Sequence, residues 1–469
     1  MAGPDKSMPR GRVARASKLG RLAGSEAAKS GAVKVANLTR DHDGRRAAAE
    51  RRQIKAAEQI VEVLGQMKGA AMKVGQIASF LDSGSLPPEV TERLQAKLAE
   101  LRDSAPVVPF KDMKKVIEKD LGQKIERVFT EFDEEPIGAA SIGQVYIATL
   151  ADDGRRVAVK VQYPGVAQAV RADLQNLGMI LQIAKRVAPG MDVKAVGGEI
   201  RERVTEELDY EHEAQNQRAF ARTWRNHPFV KVPDVVTDYC GEHVLVSEYV
   251  KGVGFEEVRE LDQATRDRYG EIVFRFFFGS VYRTGHFSGD PHPGNFLLMD
   301  DGHVAFLDYG MTKLLTREQV ELDRTAYRAG IEEDAGGLRE ALQRVGYYEE
   351  DEERVTPERV MAHFKALTSW YTSPGAQRLD REYLRQVMLD AGDPRSEYWD
   401  MIRRYNVPPH TMLTRRMEGL VLGVLSQIEA EADWHAISRE WLYGDPPATE
   451  LGRQDAEFWA GRPAWVGVG

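Results

Sequence analysis

The spacing of hydrophobic residues along the chain changes after about residue 105. Between residues 56 and 80, apolar residues recur three and four positions apart, which predicts a long amphipathic helix. Pro87 and Pro88 follow this segment, and a second helix is expected over about 88–102. The pattern before residue 105 therefore predicts helices and no strand.

Short runs rich in valine, isoleucine and tyrosine come next, and two of them predict a β-hairpin. They are GQVYIATL at 143–150 and RVAVKVQ at 156–162, with an Asp-Asp-Gly turn signal between them. Alternation in the second run places its valines on one face and Lys160 on the other. A buried strand is expected at 243–250, and the pattern after residue 264 is largely helical. The predicted order is helices, a small β-rich region and a larger helical region, which is an α+β chain.

Charge and cysteine content narrow the classes of function. The net charge of −9 argues against nucleic-acid binding, yet residues 1–55 carry 14 Lys and Arg against 5 Asp and Glu. We interpret residues 1–45 as a basic flexible arm, which is either a contact for anionic membranes or a solubilising tail. The single cysteine, Cys240, excludes an internal disulfide and favours a reducing, cytoplasmic compartment. No run of 18 apolar residues occurs, so no transmembrane segment is expected.

The most specific chemical motif is GDPHPGN at 289–295, followed by LDYG at 307–310. Phosphoryl transfer from ATP needs oxygen ligands around Mg²⁺ and a residue that orients the attacking hydroxyl or water. Asp290 suits the orienting or base role, while Asn295 and Asp308 suit metal ligation. The alternative is a proline-rich surface turn followed by a hairpin. The spacing of the three polar residues favours a magnesium–nucleotide site.

A loop rich in glycine and alanine opens the predicted hairpin. It follows the phosphate-loop pattern GxGxxGxV, with alanine in place of the middle glycine. Lys160 lies on the returning strand, where a lysine reaches the α- and β-phosphates; the alternative is a solvated strand lysine. The loop residues expected to contact the nucleotide are Gly138, Ala139, Ala140, Ser141, Gly143 and Val145.

Two further segments supply candidates for the same site. A lysine at the phosphates needs a carboxylate partner, although a charged helical run is usually a solvated face. At the end of the strand at 243–250, the backbone of Glu248 and Val250 suits adenine binding, with Ser247 at the back of the pocket. Residues 206–216 offer four carboxylates, and spacing does not choose among Glu206, Glu207, Glu211 and Glu213.

A KxGQ motif, KVGQ at 73–76, completes the set of motifs. Together with the alanine-rich loop, the segment ELDYEHEAQN and GDPHPGN…DYG, it closely resembles the UbiB/AarF family of atypical kinases, also called ADCK-type kinases. The resemblance covers roughly residues 55–315. It implies a protein-kinase-like bilobal fold with a small β-rich N-lobe and a larger helical C-lobe, and it implies ATP and Mg²⁺ as cofactors.

The resemblance also assigns roles to single residues. It implies that Lys73 and Gln76, on the KxGQ helix, point into the active site and restrain protein-kinase activity. It implies that Glu213 pairs with Lys160 and that Glu207 contacts Lys73. The family is associated with ATPase or small-molecule kinase activity and with isoprenoid quinone biosynthesis at membranes.

The chain is accordingly expected to have four segments. A basic arm at 1–45 precedes a helical KxGQ extension at 46–125, a kinase-like N-lobe at 126–250 and a C-lobe at 251–469 with a helical C-terminal region.

Three departures from the family pattern are visible. Tyr309 replaces the usual phenylalanine of the metal motif, and Gly143 stands where many members have alanine. No APE-like element follows Asp308, which argues against ordinary peptide-substrate docking.

Three functions stay open at this point. The first is an ATP-dependent enzyme, either an ATPase or a small-molecule kinase, that supports quinone or other lipid metabolism. The second is a nucleotide-gated lipid-binding or chaperone-like protein without productive phosphoryl transfer. The third is an enzyme similar to aminoglycoside phosphotransferases, whose catalytic loop GDPHPGN also resembles. The sequence names neither the acceptor nor the oligomeric state.

Overall fold

A computed structural model describes residues 108–467 with short gaps. The predicted basic arm, both helices before residue 105 and the KxGQ motif lie outside the described residues. The gaps fall at 141, 175–177, 179–180, 183–192, 207, 350–351, 353, 394, 403 and 464.

A small antiparallel sheet forms the first lobe. Its strand order is β1–β3–β4–β6, and β2 pairs with β3 along part of its length. Two helices pack beside it. The first lies within the expected helical extension at 46–125, and the second begins at its last residue. The elements are α1 (Phe110–Asp120), α2 (Ile125–Val128), β1 (Phe129–Phe132), β2 (Gly138–Ala140), β3 (Gly143–Leu150), β4 (Arg156–Gln162) and β6 (Val244–Glu248).

The predicted hairpin is confirmed in both its turn and its faces. Strands β3 and β4 pair antiparallel, with Val145 opposite Lys160, and Gly154 in the turn has a φ of 71°. The valines of β4 are buried against Met113 and Ile117 of α1. Because side chains alternate along a strand, this burial leaves Lys160 on the opposite face of the sheet.

The stretch at 195–222, whose pattern also predicts helix, is divided into two helices. They are α4 (Val193–Glu206) and α5 (Tyr210–Thr223), and α3 (Val166–Leu174) precedes them. The Asp209 carboxylate accepts hydrogen bonds from the backbone N–H groups of Glu211 (3.0 Å) and His212 (3.3 Å). An aspartate that caps a new helix in this way marks a break from the preceding one, and the pattern of residues 195–222 does not predict this break.

The second lobe is largely helical, as predicted. It contains a two-stranded ribbon of β7 with β10 and a small sheet ordered β5–β9–β8. The elements are β5 (Val230–Lys231), α6 (Phe255–Val258), α7 (Gln263–Gly279), a π-helical turn (Ser280–Thr284), β7 (His286–Ser288), a 3-10 turn (Pro293–Asn295), β8 (Phe296–Leu298), β9 (Val304–Phe306), β10 (Thr312–Leu314), α8 (Arg317–Ile331), α9 (Ala335–Val345), α10 (Pro357–Thr372), β11 (Gln377–Arg378), α11 (Arg381–Gly392), α12 (Trp399–Ile402), α13 (Pro409–Gln427), β12 (Glu431–Ala432), α14 (Trp434–Leu442) and α15 (Glu450–Trp459).

Helix α7 is the centre of this lobe. Its C-terminal half is buried on all sides, which suits the run of phenylalanines that the sequence places there. The Phe276 ring stacks on Phe306 of β9, with centroids 3.8 Å apart and planes 12° apart. Since β9 leads directly into the LDYG motif, the aromatic core fixes the start of that loop.

The ribbon of β7 and β10 joins the start of the GDPHPGN loop to the end of the LDYG loop. Strand β7 enters GDPHPGN, and β10 leaves LDYG. Residues at 465–467 pack at the start of this ribbon: the backbone N–H of Val466 donates to the Thr284 carbonyl (2.7 Å), and an added Cβ at Gly285 would lie 2.5 Å from the Trp465 ring. Among the described residues, no helix is long and apolar enough to cross a bilayer.

Candidate active site

Lys160 meets Glu213 across the face of the sheet. Its Nζ donates to Glu213 Oε1 at 2.6 Å, and the side chains are 18% and 3% exposed. Helix α5 therefore delivers one of the four candidate carboxylates to the lysine. Glu211, two residues earlier and on a different face of the helix, is a solvated partner of Arg218 instead (2.9 Å). Glu207 lies outside the described residues.

The environment keeps Lys160 charged. Burial acts to lower the pKa of the lysine, but the negative charges of Glu213 and Asp308 outweigh it and raise the pKa above its ordinary value. Because the charge of Asp308 also acts on the lysine, the two side chains are near enough to interact electrostatically. A permanent cation at this position is suited to the oxygens of a polyphosphate.

Tyr210 links the lysine to the phosphate loop. Lys160 Nζ lies 5.0 Å from the centroid of the buried Tyr210 ring. A Cβ at Gly143 would lie 2.2 Å from the Val161 carbonyl oxygen and 2.9 Å from the Tyr210 hydroxyl. Close packing therefore requires glycine at position 143, which explains the departure from alanine. Tyr210, to which the sequence pattern assigned no role, is a further residue of the site.

The predicted phosphate loop lies at the end of the sheet beside Lys160. Gly138, Ala139 and Ala140 form β2, opposite Val145, Gln144 and Gly143 respectively. Val145 and Lys160 face each other across the β3–β4 pair, so their side chains share one side of the sheet. Ser141, between the strands, lies outside the described residues.

The segment expected to bind adenine lies at the end of β6 and just beyond it, and its residues are not equivalent. The N–H of Glu248 donates to the Asp234 carbonyl (2.8 Å), and its carboxylate pairs with Lys231 (2.7 Å). Glu248 can therefore offer adenine only its carbonyl oxygen. Within the described part of the chain, no hydrogen bond uses the N–H of Val250. Ser247 is 8% exposed and lies opposite Ala158.

Asp290 and the metal motif lie on two neighbouring loops. Asp290 is 7% exposed, and the Gly289 N–H before it donates to the Met311 carbonyl (2.8 Å). Asn295 Nδ2 lies 3.4 Å from Asp308 Oδ2, and the Leu307 N–H donates to the Asn295 carbonyl (3.0 Å). The structure thus brings the predicted amide and carboxylate into contact.

Helix α5 also reaches the metal motif. Asn216 Nδ2 donates to the Tyr309 carbonyl (3.2 Å), and the Phe220 ring lies 4.9 Å from the Tyr309 ring. The Tyr309 hydroxyl donates to the Phe306 carbonyl (2.9 Å), so the replacement of phenylalanine is accommodated without an unsatisfied hydroxyl. One helix therefore positions both the partner of Lys160 and the backbone beside Asp308.

Two residues at the carboxylate end were not singled out from the sequence. Arg416 of α13 donates from Nη2 to Asp290 Oδ1 at 2.8 Å, across 126 positions of sequence. His286 of β7 lies 4.4 Å from Phe220 between ring centroids, and burial lowers the pKa of its imidazole to about 4. A contact across so many residues leaves no local signal.

Residues 100–342 match the ABC1 atypical kinase-like domain, which is more than half of the chain. The chain belongs to this family. It is 31% identical over 300 residues to the chloroplastic protein ACTIVITY OF BC1 COMPLEX KINASE 1 of Arabidopsis thaliana, with 63% of this chain and 43% of that protein covered. It is 33% identical over 263 residues to the mitochondrial atypical kinase COQ8B of Rattus norvegicus, with 56% and 49% covered. The chain spans about half the length of these relatives.

A solved structure is similar over most of its own length. The complex of Rv3197 with erythromycin from Mycobacterium tuberculosis matches with a TM-score of 0.60 and 31% identity, covering 82% of this chain and 95% of that one. The expected UbiB/AarF relationship and the kinase-like α+β fold are thereby confirmed. The roles of all the site residues stay predictions, including those of Lys73, Gln76, Ser141 and Glu207, as do the segment boundaries.

Proposed function

We propose that this ABC1-family chain is an ATP- and Mg²⁺-dependent phosphotransferase or ATPase. The observation that carries the proposal is the buried ion pair of Lys160 with Glu213, which joins a strand to a helix, and the charge of Asp308 acts on the same lysine. A magnesium–triphosphate needs a charged lysine near a loop that carries a carboxylate. The lysine contacts the phosphates, and oxygen atoms of the loop ligate the metal.

The residues present fit a magnesium ion that the nucleotide helps to bind. Among the described residues no group of three or more His, Cys, Asp and Glu side chains could hold a metal alone. Mg²⁺ commonly takes one or two protein ligands and completes its shell with phosphate oxygens and water. Asn295 and Asp308 would supply those ligands, and the ion would neutralise charge that develops on the transferred phosphoryl group.

The chain's own residues account for the remaining tasks. Lys160 would bind the α- and β-phosphates, and Glu213 would hold the lysine in place. The loop from Gly138 to Val145 would cover the phosphates, while Val250 and the Glu248 carbonyl would contact adenine. Asp290 would orient the attacking hydroxyl or water by accepting its hydrogen bond.

The burial of Asp290 favours a small acceptor. Its side chain is 8% exposed, and α13 packs directly against the preceding glycine. A recessed carboxylate of this kind is suited to water or to a single narrow hydroxyl group rather than to a folded protein surface. The family relationship favours an isoprenoid quinone precursor or another lipid as the acceptor or regulator.

A second candidate is a ligand-binding protein that uses ATP without transferring phosphate to the ligand. Two observations favour it: Asp290 is already engaged by Arg416, and the similar Rv3197 structure is a complex with erythromycin. Under this candidate, a macrolide or a lipid would change ATP turnover but would not itself become phosphorylated. The aminoglycoside alternative requires a phosphorylated product in the same assay.

The test is ATP turnover by the full chain with anionic liposomes, with and without a quinone precursor, erythromycin or an aminoglycoside. We expect Asp308→Asn to lower turnover by about 10²-fold or more, because loss of a metal ligand removes transition-state charge stabilisation. Mass spectrometry of each ligand separates transfer from hydrolysis.

Asp301→Asn is a matched control. Asp301 lies on the turn between β8 and β9, seven residues before Asp308, and its side chain is 59% exposed. Its replacement should leave turnover unchanged. Equal turnover by the wild-type protein and Asp308→Asn, or no turnover under any of these conditions, would contradict the proposal.

A further inference from the structure

Helix α13 presents an arginine to the carboxylate of the catalytic loop. We propose that Arg416 is a positioning residue, which fixes the orientation of the Asp290 carboxylate and balances its charge beside the metal and the triphosphate. This inference rests on the proposed function and adds a residue to it. The contact is 2.8 Å from Nη2 to Oδ1, and the two side chains are 7% and 8% exposed.

The arginine is held in place by a rigid neighbourhood. Its helix packs on the catalytic loop so closely that a Cβ at Gly289 would lie 2.2 Å from Leu413 Cγ. Leu413 and Met417, on either side of Arg416, are both 1% exposed and belong to the core of the helical lobe. Lys313 of β10 also reaches the start of α13, with Nζ 3.4 Å from the Pro409 carbonyl. A contact built on such packing is suited to orienting a group rather than to opening and closing.

The contact between Arg416 and Asp290 would also have an electrostatic role. In the proposed function Asp290 works beside a polyanionic nucleotide, so its carboxylate would lie close to like charge. A guanidinium is always protonated and donates in a fixed plane, and in a water-poor site its attraction for a carboxylate is strong. Arg416 would thus keep the Asp290 oxygens from turning away from the phosphates. Arg416 would act in the same way as the third residue of a catalytic triad, which orients a catalytic partner.

The adjacent arginine provides a built-in comparison. Arg415 points to a different cluster, where it donates to Glu418 (2.6 Å) and Tyr347 (3.2 Å) and contacts Asp323 and Tyr327. That cluster joins α13 to α8 within the helical lobe and does not include Asp290. Arg415 therefore has a structural role, while Arg416, one position later, faces the catalytic loop.

The experiment measures ATP turnover by Arg416→Ala with guanidinium or urea added at concentrations that leave the protein folded. We expect kcat to fall by about 10²-fold, the low end for loss of a group that supports a proton-accepting residue, with the KM for ATP within about 2-fold of wild type. Guanidinium should restore part of the loss because it can occupy the space of the missing side chain. Urea, a neutral molecule of the same shape, should restore none.

Three variants make the result specific. Arg416→Lys should retain intermediate turnover, since it keeps the charge but not the planar donor. Adding Arg416→Ala to Asp290→Asn should cause no further loss, because the residue to be oriented is already altered. Arg415→Ala should lower the melting temperature, and guanidinium should not rescue its turnover. Arg416→Gln replaces Arg416→Ala in all assays if the alanine variant does not fold.

Wild-type turnover or increased turnover in Arg416→Ala and Arg416→Gln would overturn this inference and leave the proposed function standing. An increase would identify the contact as inhibitory. Equal rescue by urea and guanidinium would also overturn it, because charge would then be irrelevant. Absence of turnover in the wild-type protein would overturn the proposed function and this inference together.

Discussion

The two walls of the candidate site are held in place by different means. On the sheet side, Lys160 is fixed by the register of one hairpin and by a helix 53 residues away, and the other nucleotide residues lie in the same few strands. On the helical side, Asp290 depends on a helix 126 residues away, on the aromatic core around α7 and on the segment at 465–467. The proposed nucleotide site is thus built from a few neighbouring strands and one helix, while the proposed catalytic carboxylate depends on most of the second lobe.

This difference suggests how substitutions will separate. Changes on the sheet side should act on one ion pair or one close packing contact at a time. Changes on the helical side should act through burial and should spread over many residues. Three substitutions test that contrast, from the largest expected effect to the smallest.

Glu213→Gln should have the largest effect, because it leaves the ammonium of Lys160 without its buried partner. Removal of one member of a buried ion pair costs about 3–5 kcal/mol, and ATP affinity should fall as the lysine loses its position. Urea unfolding and a nucleotide thermal-shift titration measure the two effects. Glu211→Gln on the same helix is the control, since the exposed pair with Arg218 is worth roughly 0–1 kcal/mol. Similar losses in both variants would show that burial does not distinguish the two glutamates.

The pH dependence of stability tests the helical side. Burial lowers the pKa of His286 from 6.5 to about 4, so the unfolded chain binds this proton more readily than the folded chain. The contribution of neutral His286 is complete above pH 6.5, decreases as the pH falls, and is lost below about pH 4. Its full size is on the order of 3 kcal/mol.

His286→Phe should flatten the curve of unfolding free energy against pH between 6.5 and 4, because phenylalanine does not titrate beside Phe220. His363 is also buried with a pKa lowered to about 4, so part of the slope should remain. Chemical unfolding at half-unit pH intervals provides the measurement. An unchanged slope in the variant would show that His286 is not protected from protonation.

Gly143→Ala should have the smallest effect of the three. The added methyl meets the Val161 carbonyl and the Tyr210 hydroxyl, and overpacking of this kind costs about 1–3 kcal/mol. Gly138→Ala on the neighbouring strand is the control, because an added Cβ there meets no described atom within 4 Å. The melting temperatures of the two variants decide the matter. If they are equal, the crowding at Gly143 is relieved without cost.

Local patterns made the sheet side predictable. Alternation identified the buried face of β4, the Asp-Asp-Gly turn located the hairpin, and together they placed Lys160 correctly in the fold. The same is true of Asn295 and Asp308, because only the short β8–β9 hairpin separates them and it leaves little freedom in where their loops meet. In each case the determining residues lie within about twenty positions of one another.

The helical side could not be predicted in the same way. The segment PHTMLTRRMEGL contains two adjacent arginines, and helical periodicity directs them to different faces without naming a partner for either. Only the packing of α13 on Gly289 determines that Arg416, and not Arg415, meets Asp290. Tyr210 was equally invisible, because its contacts with Lys160 and Gly143 depend on the angle at which α5 crosses the sheet.

The attachment of residues 465–467 to Thr284 has a practical consequence. A purification handle or reporter fused just after residue 467 would be anchored next to the strand that enters the catalytic loop. A shortened variant that lost Trp465 would expose Gly285, and a drop in its activity would report on that strand rather than on a separate tail function. Fusions after residue 467 therefore call for a spacer. Comparisons of activity between differently tagged preparations should take the contact of residues 465–467 with Thr284 into account.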